Sequence, residues 1–151
     1  MKRSQRMQTV ERVVSEVERK RAEALAISER RVAECETKLA ELEGYQKTYA
    51  DQFQQRVGAG DGAASLRDFQ VFMARLADAV KQQAQIVSKA RADRDAERLK
   101  WQHAAQRSEA VGTLVERWKG EEQRALDRRE QSESDERAQR SPAHQIQSSG
   151  N

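Results

Sequence analysis

The chain has 151 residues, of which 35% are charged, 36% hydrophobic and only 5% aromatic, with one proline, one cysteine and a formal net charge of +3. With a mean hydropathy of −1.01, this composition cannot fill a globular core of ordinary thickness, and it leaves long helices sharing a narrow apolar seam, or disorder. The lone Cys35 excludes an internal disulfide, and one thiol with two distant histidines makes no metal-ligand cluster.

Charge divides unevenly along the chain. Residues 1–31 carry nine Lys/Arg against five acids, residues 32–97 nine against eleven, residues 98–129 eight against five and residues 130–151 two against four. The small basic surplus therefore sits at the two ends of the helical region. It could steer an anionic partner, but the signs are interleaved and no aromatic platform accompanies them, so nucleic acid is not expected as a partner. Behind Met1 the run Lys2, Arg3, Ser4, Gln5, Arg6 has no apolar stretch, and the longest apolar runs elsewhere are about one turn. Neither a signal peptide nor direct membrane insertion is expected, and a reducing cytoplasm fits the cysteine usage.

The first helix is expected over about residues 7–56. Its apolar residues recur at three- and four-residue steps from Leu25 through Val32, Leu39 and Leu42 to Tyr49 and Phe53. Val10, Val14 and Val17 join this seam only through an extra four-residue step across Arg21, which predicts a stutter there. Gly44 lies inside the helix without ending it.

A turn follows over 57–65. Gly58, Gly60 and Gly62 supply positive-φ options, and Ser65 is the expected N-cap of the next helix. This glycine-rich stretch lacks a preceding strand and the Lys-Ser/Thr pair of a phosphate-binding loop, so it reads as a connector. The second helix is expected over about 66–129. Heptad stepping from Leu66 to Ala125 selects eighteen positions, thirteen of them apolar. A polar tail, 131–151, is expected to be disordered.

Pairing residue i with about 122 − i matches the two seams layer by layer: Phe53 with Phe69, Tyr49 with Met73, Cys35 with Val87, Val32 with Ala90. This register centres the turn on residue 61, among the glycines. The fold class is therefore all-α, a long antiparallel two-stranded coiled-coil hairpin over residues 1–130, monomeric when free. Away from the turn the layers turn polar, with Ser28 facing Arg94, Leu25 facing Glu97 and Arg21 facing Trp101, so the outer half is expected to be looser than the half near the turn.

No nucleophile, base and oxyanion donor can be assembled, so no enzyme and no cofactor is expected; His103 and His144 are read as solvated. The apolar surface that the seams do not consume is more informative. Tyr45 lies outside the first seam, and Phe72 and Ala79 outside the second. With Leu42, Tyr49 and Leu76 they form a candidate exposed patch for a partner.

The order and spacing of Leu42, Tyr45, Gln46 and Tyr49, a glycine-containing turn, then Phe69, Phe72, Leu76 and Gln83, with Trp101 and Trp118 beyond, resembles the flagellar export protein FliJ family over roughly residues 7–130. Gln83 and Lys38 depart from the residue types expected of some relatives. The resemblance implies a cytoplasmic, non-enzymatic stalk of the type III export apparatus, similar to the γ stalk of rotary ATPases and peripherally associated with the flagellar basal body. Its implied partners are the hexameric export ATPase, the cytosolic region of the membrane export-gate protein, and export chaperones. Carried over residue by residue, Leu42, Tyr45, Tyr49, Phe72, Leu76 and Ala79 would bind the gate. Val10, Val14, Val111, Val115 and Trp118, near the chain termini, would enter the ATPase pore. An injectisome stalk protein and a generic coiled-coil scaffold are the alternatives.

Overall fold

A computed structural model describes residues 2–60 and 62–148, with side-chain surroundings through residue 140. Residue 61, the expected centre of the turn, and the last three residues of the tail lie outside the described residues, as does the side chain of His144. The chain folds as a helical hairpin of α1 (Arg3–Gly58) and α2 (Ala63–Ser148). It divides into two compact units, a terminal unit of Met1–Val17 with Ala105–Asn151 and a turn unit of Glu18–Ala104.

In the turn unit, α1 ends as Ala59 N–H donates to the Gln55 carbonyl at 3.0 Å and Gly60 N–H to Val57 at 3.3 Å. Gly60 takes φ +80°, the left-handed conformation that a side chain would disfavour. The helix then restarts sooner than expected. Leu66 N–H donates to the Gly62 carbonyl at 3.1 Å, which makes Gly62 the N-cap of α2 and puts Ser65 inside its first turn. Glycine is tolerated at an N-cap almost as well as serine, so the shorter connection costs little.

The expected register holds in this unit. Phe53 stacks on Phe69 at 5.2 Å, and Val32, Val87 and Ala90 are all buried. Gln83, also buried, donates from Nε2 to the Cys35 carbonyl at 3.0 Å, a polar contact made across the seam. Arg91 reaches Glu36 at 2.8 Å and Arg98 reaches Glu29 at 3.9 Å. These pairs flank the seam in solvent, where each contributes little stability.

Two expectations about packing fail. The layers beside the turn are not the tightest: between residues 33 and 82 no described residue is fully buried, whereas Val32, Gln83, Val87 and Ala90 are. A two-helix seam can enclose a valine or an alanine, but rings as large as Phe53 and Phe69 project past its edges. The stutter is also absent. Glu18, Leu25 and Val32 lie seven residues apart and none is exposed, so α1 keeps an unbroken heptad phase.

In the terminal unit the same phase places Ser4, Met7, Glu11 and Val14 inward, while Val10 and Val17 are 40% and 43% exposed. Glutamates can occupy such positions by covering neighbours with their methylenes while the carboxylates reach water. Val115 is 1% exposed, the most enclosed large side chain described. Thus α1 begins at Arg3, earlier than residue 7, and α2 continues to Ser148, past the boundary expected at 129. Every described residue from Gln123 to Arg140 is exposed, so the polar stretch after Glu122 adds no packed face among the described residues.

A Cβ added at Gly44 meets nothing within 4 Å. Gly44→Ala should therefore stabilise the chain by about 0.5–1 kcal/mol. Gly60→Ala should destabilise it by about 1–2 kcal/mol because of the positive φ. Urea unfolding followed by helical circular dichroism checks both. Gln83→Leu should leave stability nearly unchanged or raise it, whereas Gln83→Ala should lower it by about 1–2 kcal/mol, separating the polar contact from the volume it fills.

Candidate partner-binding surfaces

The apolar patch of the turn unit is built on four rings. The last turns of α1 present Tyr49 and Phe53, and the first turns of α2 present Phe69 and Phe72, because the hairpin register brings these segments face to face. Phe53 and Phe69 are nearly parallel, at 13°, whereas Tyr49 meets Phe72 edge-on at 5.1 Å and Phe69 edge-on at 6.5 Å. Phe69 and Phe72 are themselves 6.2 Å apart. Edge-to-face contacts place the positive rim of one ring on the negative face of another and stiffen the cluster beyond what area burial provides. The Arg56 guanidinium lies 5.2 Å from the Phe69 ring centroid and covers it near the turn.

Of the six residues expected in this patch, Tyr45 is 54% and Phe72 43% exposed. Leu42, Tyr49, Leu76 and Ala79 are half-buried. The structure joins Tyr49 directly to Phe72. Tyr45 precedes Tyr49 by one turn on α1, and Leu76 follows Phe72 by one turn on α2. The patch thus has an exposed outer part, Tyr45 and Phe72, resting on half-buried residues that also serve the seam. Val71 and Val57 are also exposed, at 52% and 51%, and neither was singled out in the sequence. Val71 carries the same signal as Phe72, an apolar residue outside the heptad stripe.

A second feature of the turn unit is an open groove of about 510 Å³ between α1 and α2, lined by Ala24, Ile27, Ser28 and Arg31 on one side and Asp93, Ala96, Glu97 and Lys100 on the other. Glu97 Oε2 is buried there without a hydrogen-bond partner, while its Oε1 lies 3.6 Å from Lys100. Ser28 donates to its own helix at the Leu25 carbonyl, and Arg94 pairs with the neighbouring Asp95. The polar layers expected here are present, but their side chains make local contacts instead of bonding across the seam.

In the terminal unit, Val14, Val111 and Trp118 are half-buried, Val115 is enclosed and Val10 is exposed. Of these five candidates only Val10 offers a large exposed apolar surface, and Val13, 57% exposed, adds to it. Val115 serves the seam itself. Trp118 carries the Arg3 guanidinium 4.6 Å from its ring centroid, and Arg3 also pairs with Glu121 at 3.1 Å. These contacts exist because α1 begins at Arg3, one turn before the expected start at residue 7.

Among the described residues no group of three or more His, Cys, Asp or Glu is placed to hold a metal ion, and no helix is long and apolar enough to cross a membrane. No curated protein and no solved structure matches the chain. The family model for the flagellar FliJ protein matches residues 2–147, nearly the whole length. The helical hairpin and this match agree: the chain belongs to the flagellar FliJ family, a non-catalytic component of flagellar type III protein export.

Proposed function

We propose that the protein couples the hexameric export ATPase to the membrane export gate by binding both, without hydrolysing ATP, and that it assists export chaperones from the cytoplasmic face of the flagellar basal body. The terminal unit engages the ATPase pore and the turn unit engages the cytosolic region of the gate protein. The family assignment supports the setting. The observation that carries the gate contact is the pair of exposed rings, Tyr45 and Phe72, backed by Tyr49 at 5.1 Å from Phe72. Stiff aromatic side chains lose little rotamer freedom when a partner covers them, which suits them to anchor an interface.

In the terminal unit, Val10 and Val13 offer apolar surface on α1, and Lys2, Arg3, Arg6 and Arg12 add basic charge in the same stretch of chain. This mixture suits an acidic, partly apolar pore lining. Because Val115 is enclosed, its contribution to ATPase binding is to hold α1 and α2 together behind that surface.

Tyr45→Ala with Phe72→Ala should weaken binding to the purified cytosolic part of the gate protein by about tenfold or more, as expected for two aromatic anchors. Binding to the purified export ATPase should stay unchanged. Tyr45 is 54% and Phe72 43% exposed, and neither is enclosed in the seam, so the hairpin should stay folded with thermal unfolding lowered by a few degrees. Unaltered gate affinity in the folded double variant would remove the patch from the interface. In a second pair of measurements, Val10→Asp with Val13→Asp should weaken ATPase binding and spare gate binding; the reverse pattern would exchange the two assignments.

A further inference from the structure

We propose that the first turn of α1 is an electrostatic clasp on α2, fastened by Glu122, that opens separately from the rest of the terminal unit and uncovers the Trp118 ring. The helix begins with Arg6 N–H donating to the Lys2 carbonyl at 3.2 Å, so Lys2 is the N-cap and Ser4 is one of the first residues whose N–H has no partner within its own helix. Gln5 Oε1 accepts from Lys2 N–H at 3.2 Å, one half of a capping box. The Ser4 group finds its partner on the other helix: Glu122 Oε1 accepts Ser4 N–H at 3.3 Å, and Glu122 Oε2 accepts the Ser4 hydroxyl at 2.6 Å. A carboxylate of α2 therefore caps the start of α1, where the helix dipole also favours negative charge.

The same turn is tied a second time. Arg3 donates to Glu121 Oε2 at 3.1 Å and lies over Trp118. Ser4 is only 4% exposed, and within residues 2–10 Met7 alone joins it as not exposed. The layer that closes this part of the seam is thus polar. Layers at Val115, or at Val87 and Ala90 in the turn unit, are apolar. Apolar burial is insensitive to pH, whereas a capped carboxylate is not, so the first turn should respond to conditions that leave those layers unchanged.

The groups around the Glu122 carboxylate act in one direction. The Ser4 hydroxyl bond holds its carboxyl below the usual range, against a smaller upward push from burial, and Ser4 N–H, Lys2 and Arg3 add to the lowering. Glu121, the neighbouring acid, is paired with Arg3. Because the folded value is depressed, the contribution of Glu122 is complete above the ordinary carboxylate range and is lost as pH falls through the lowered value. When the clasp opens, Arg3 leaves the indole, and the Trp118 face becomes available to quencher or to a partner.

The test uses the full chain in a Trp101→Phe background, so that Trp118 is the only tryptophan and can be excited selectively beside Tyr45 and Tyr49. Amide protection factors and acrylamide quenching are compared at neutral pH and along a descent to pH about 2, which passes the ordinary glutamate value and continues well below it. In Glu122→Ala, and in Ser4→Ala as a second variant, protection of residues 4–7 should fall about fivefold or more and Trp118 quenching should rise. Protection at Val111 and Val115 should not change. Acidification should reproduce this loss in the parent chain and add little in Glu122→Ala. Unchanged protection at residues 4–7 in both variants would overturn the clasp. A loss shared by Val111 and Val115 would equally overturn it, because the first turn would then open only with the whole unit.

Discussion

An interface between two helices is only one layer of side chains thick, and most features of this molecule follow from that limit. Each layer can surround a small or β-branched residue on all sides but can cover a large ring on one side only. Val32, Val87, Ala90 and Val115 are enclosed, while Tyr49, Phe53, Phe69 and Trp118 remain half-buried. Aromatic residues placed in or beside such a seam therefore leave apolar surface in water. In a chain with only 5% aromatic residues, five of them lie on the two helices beside the turn, and the seam geometry is what keeps their rings accessible.

The polar members of the seam have a different role. Purely apolar heptads on both helices would tolerate shifts by a whole heptad at modest cost. Gln83 reaching the Cys35 carbonyl, and Glu122 reaching Ser4, are satisfied in one alignment only. Shifting either helix would leave buried polar groups without partners, a larger penalty than the loss of a few methylene contacts. Cross-helix ion pairs such as Arg91 with Glu36 point to the same alignment but are exposed and screened. Register is thus argued more strongly by two hydrogen-bonded contacts within the seam, one between neutral groups and one to a carboxylate, than by the more numerous ion pairs outside it.

The helical hairpin, the register in the turn unit and the exposed rings were legible in the sequence because apolar period, glycine position and aromatic spacing all gave the same alignment. The phase at the start of α1 was not. Val10, Val14 and Val17 form an apolar stripe of their own, which competes with the downstream phase. The structure instead keeps the phase of Leu25 and Val32, turning Glu11 and Glu18 inward and leaving Val10 and Val17 at the surface. A coiled coil propagates its phase mechanically along the helix, so a strong set of layers downstream can override a weak preference upstream. The Ser65 cap failed for a related reason: Gly60 at φ +80° completes the turn in fewer residues, and Gly62 then lies in position first. The contact between Ser4 and Glu122 falls on the heptad phase of both helices but carried no apolar signal, since it joins two polar side chains 118 residues apart in the chain.

The valines turned outward by this phase bear directly on how the terminal unit can work. If Val10 and Val17 had belonged to the seam, a partner could reach them only by separating the helices. As they stand, Val10, Val13 and Val17 are exposed while Val115 holds the unit together from inside. The exposed valines and the residue that packs the unit are thus different, so a partner covering that surface would cost no seam contacts. The turn unit follows the same division less completely: Tyr45 and Phe72 are largely free to bind, but Tyr49 and Leu76 serve both the seam and the patch. A partner gripping Tyr49, Leu76 or Phe72, whose ring meets Tyr49 across the hairpin, would therefore be coupled to helix packing, whereas one confined to the exposed Tyr45 would not. This difference is the physical basis on which a contact at the turn unit could influence the hairpin itself, while a contact on Val10 and Val13 would leave its packing unchanged.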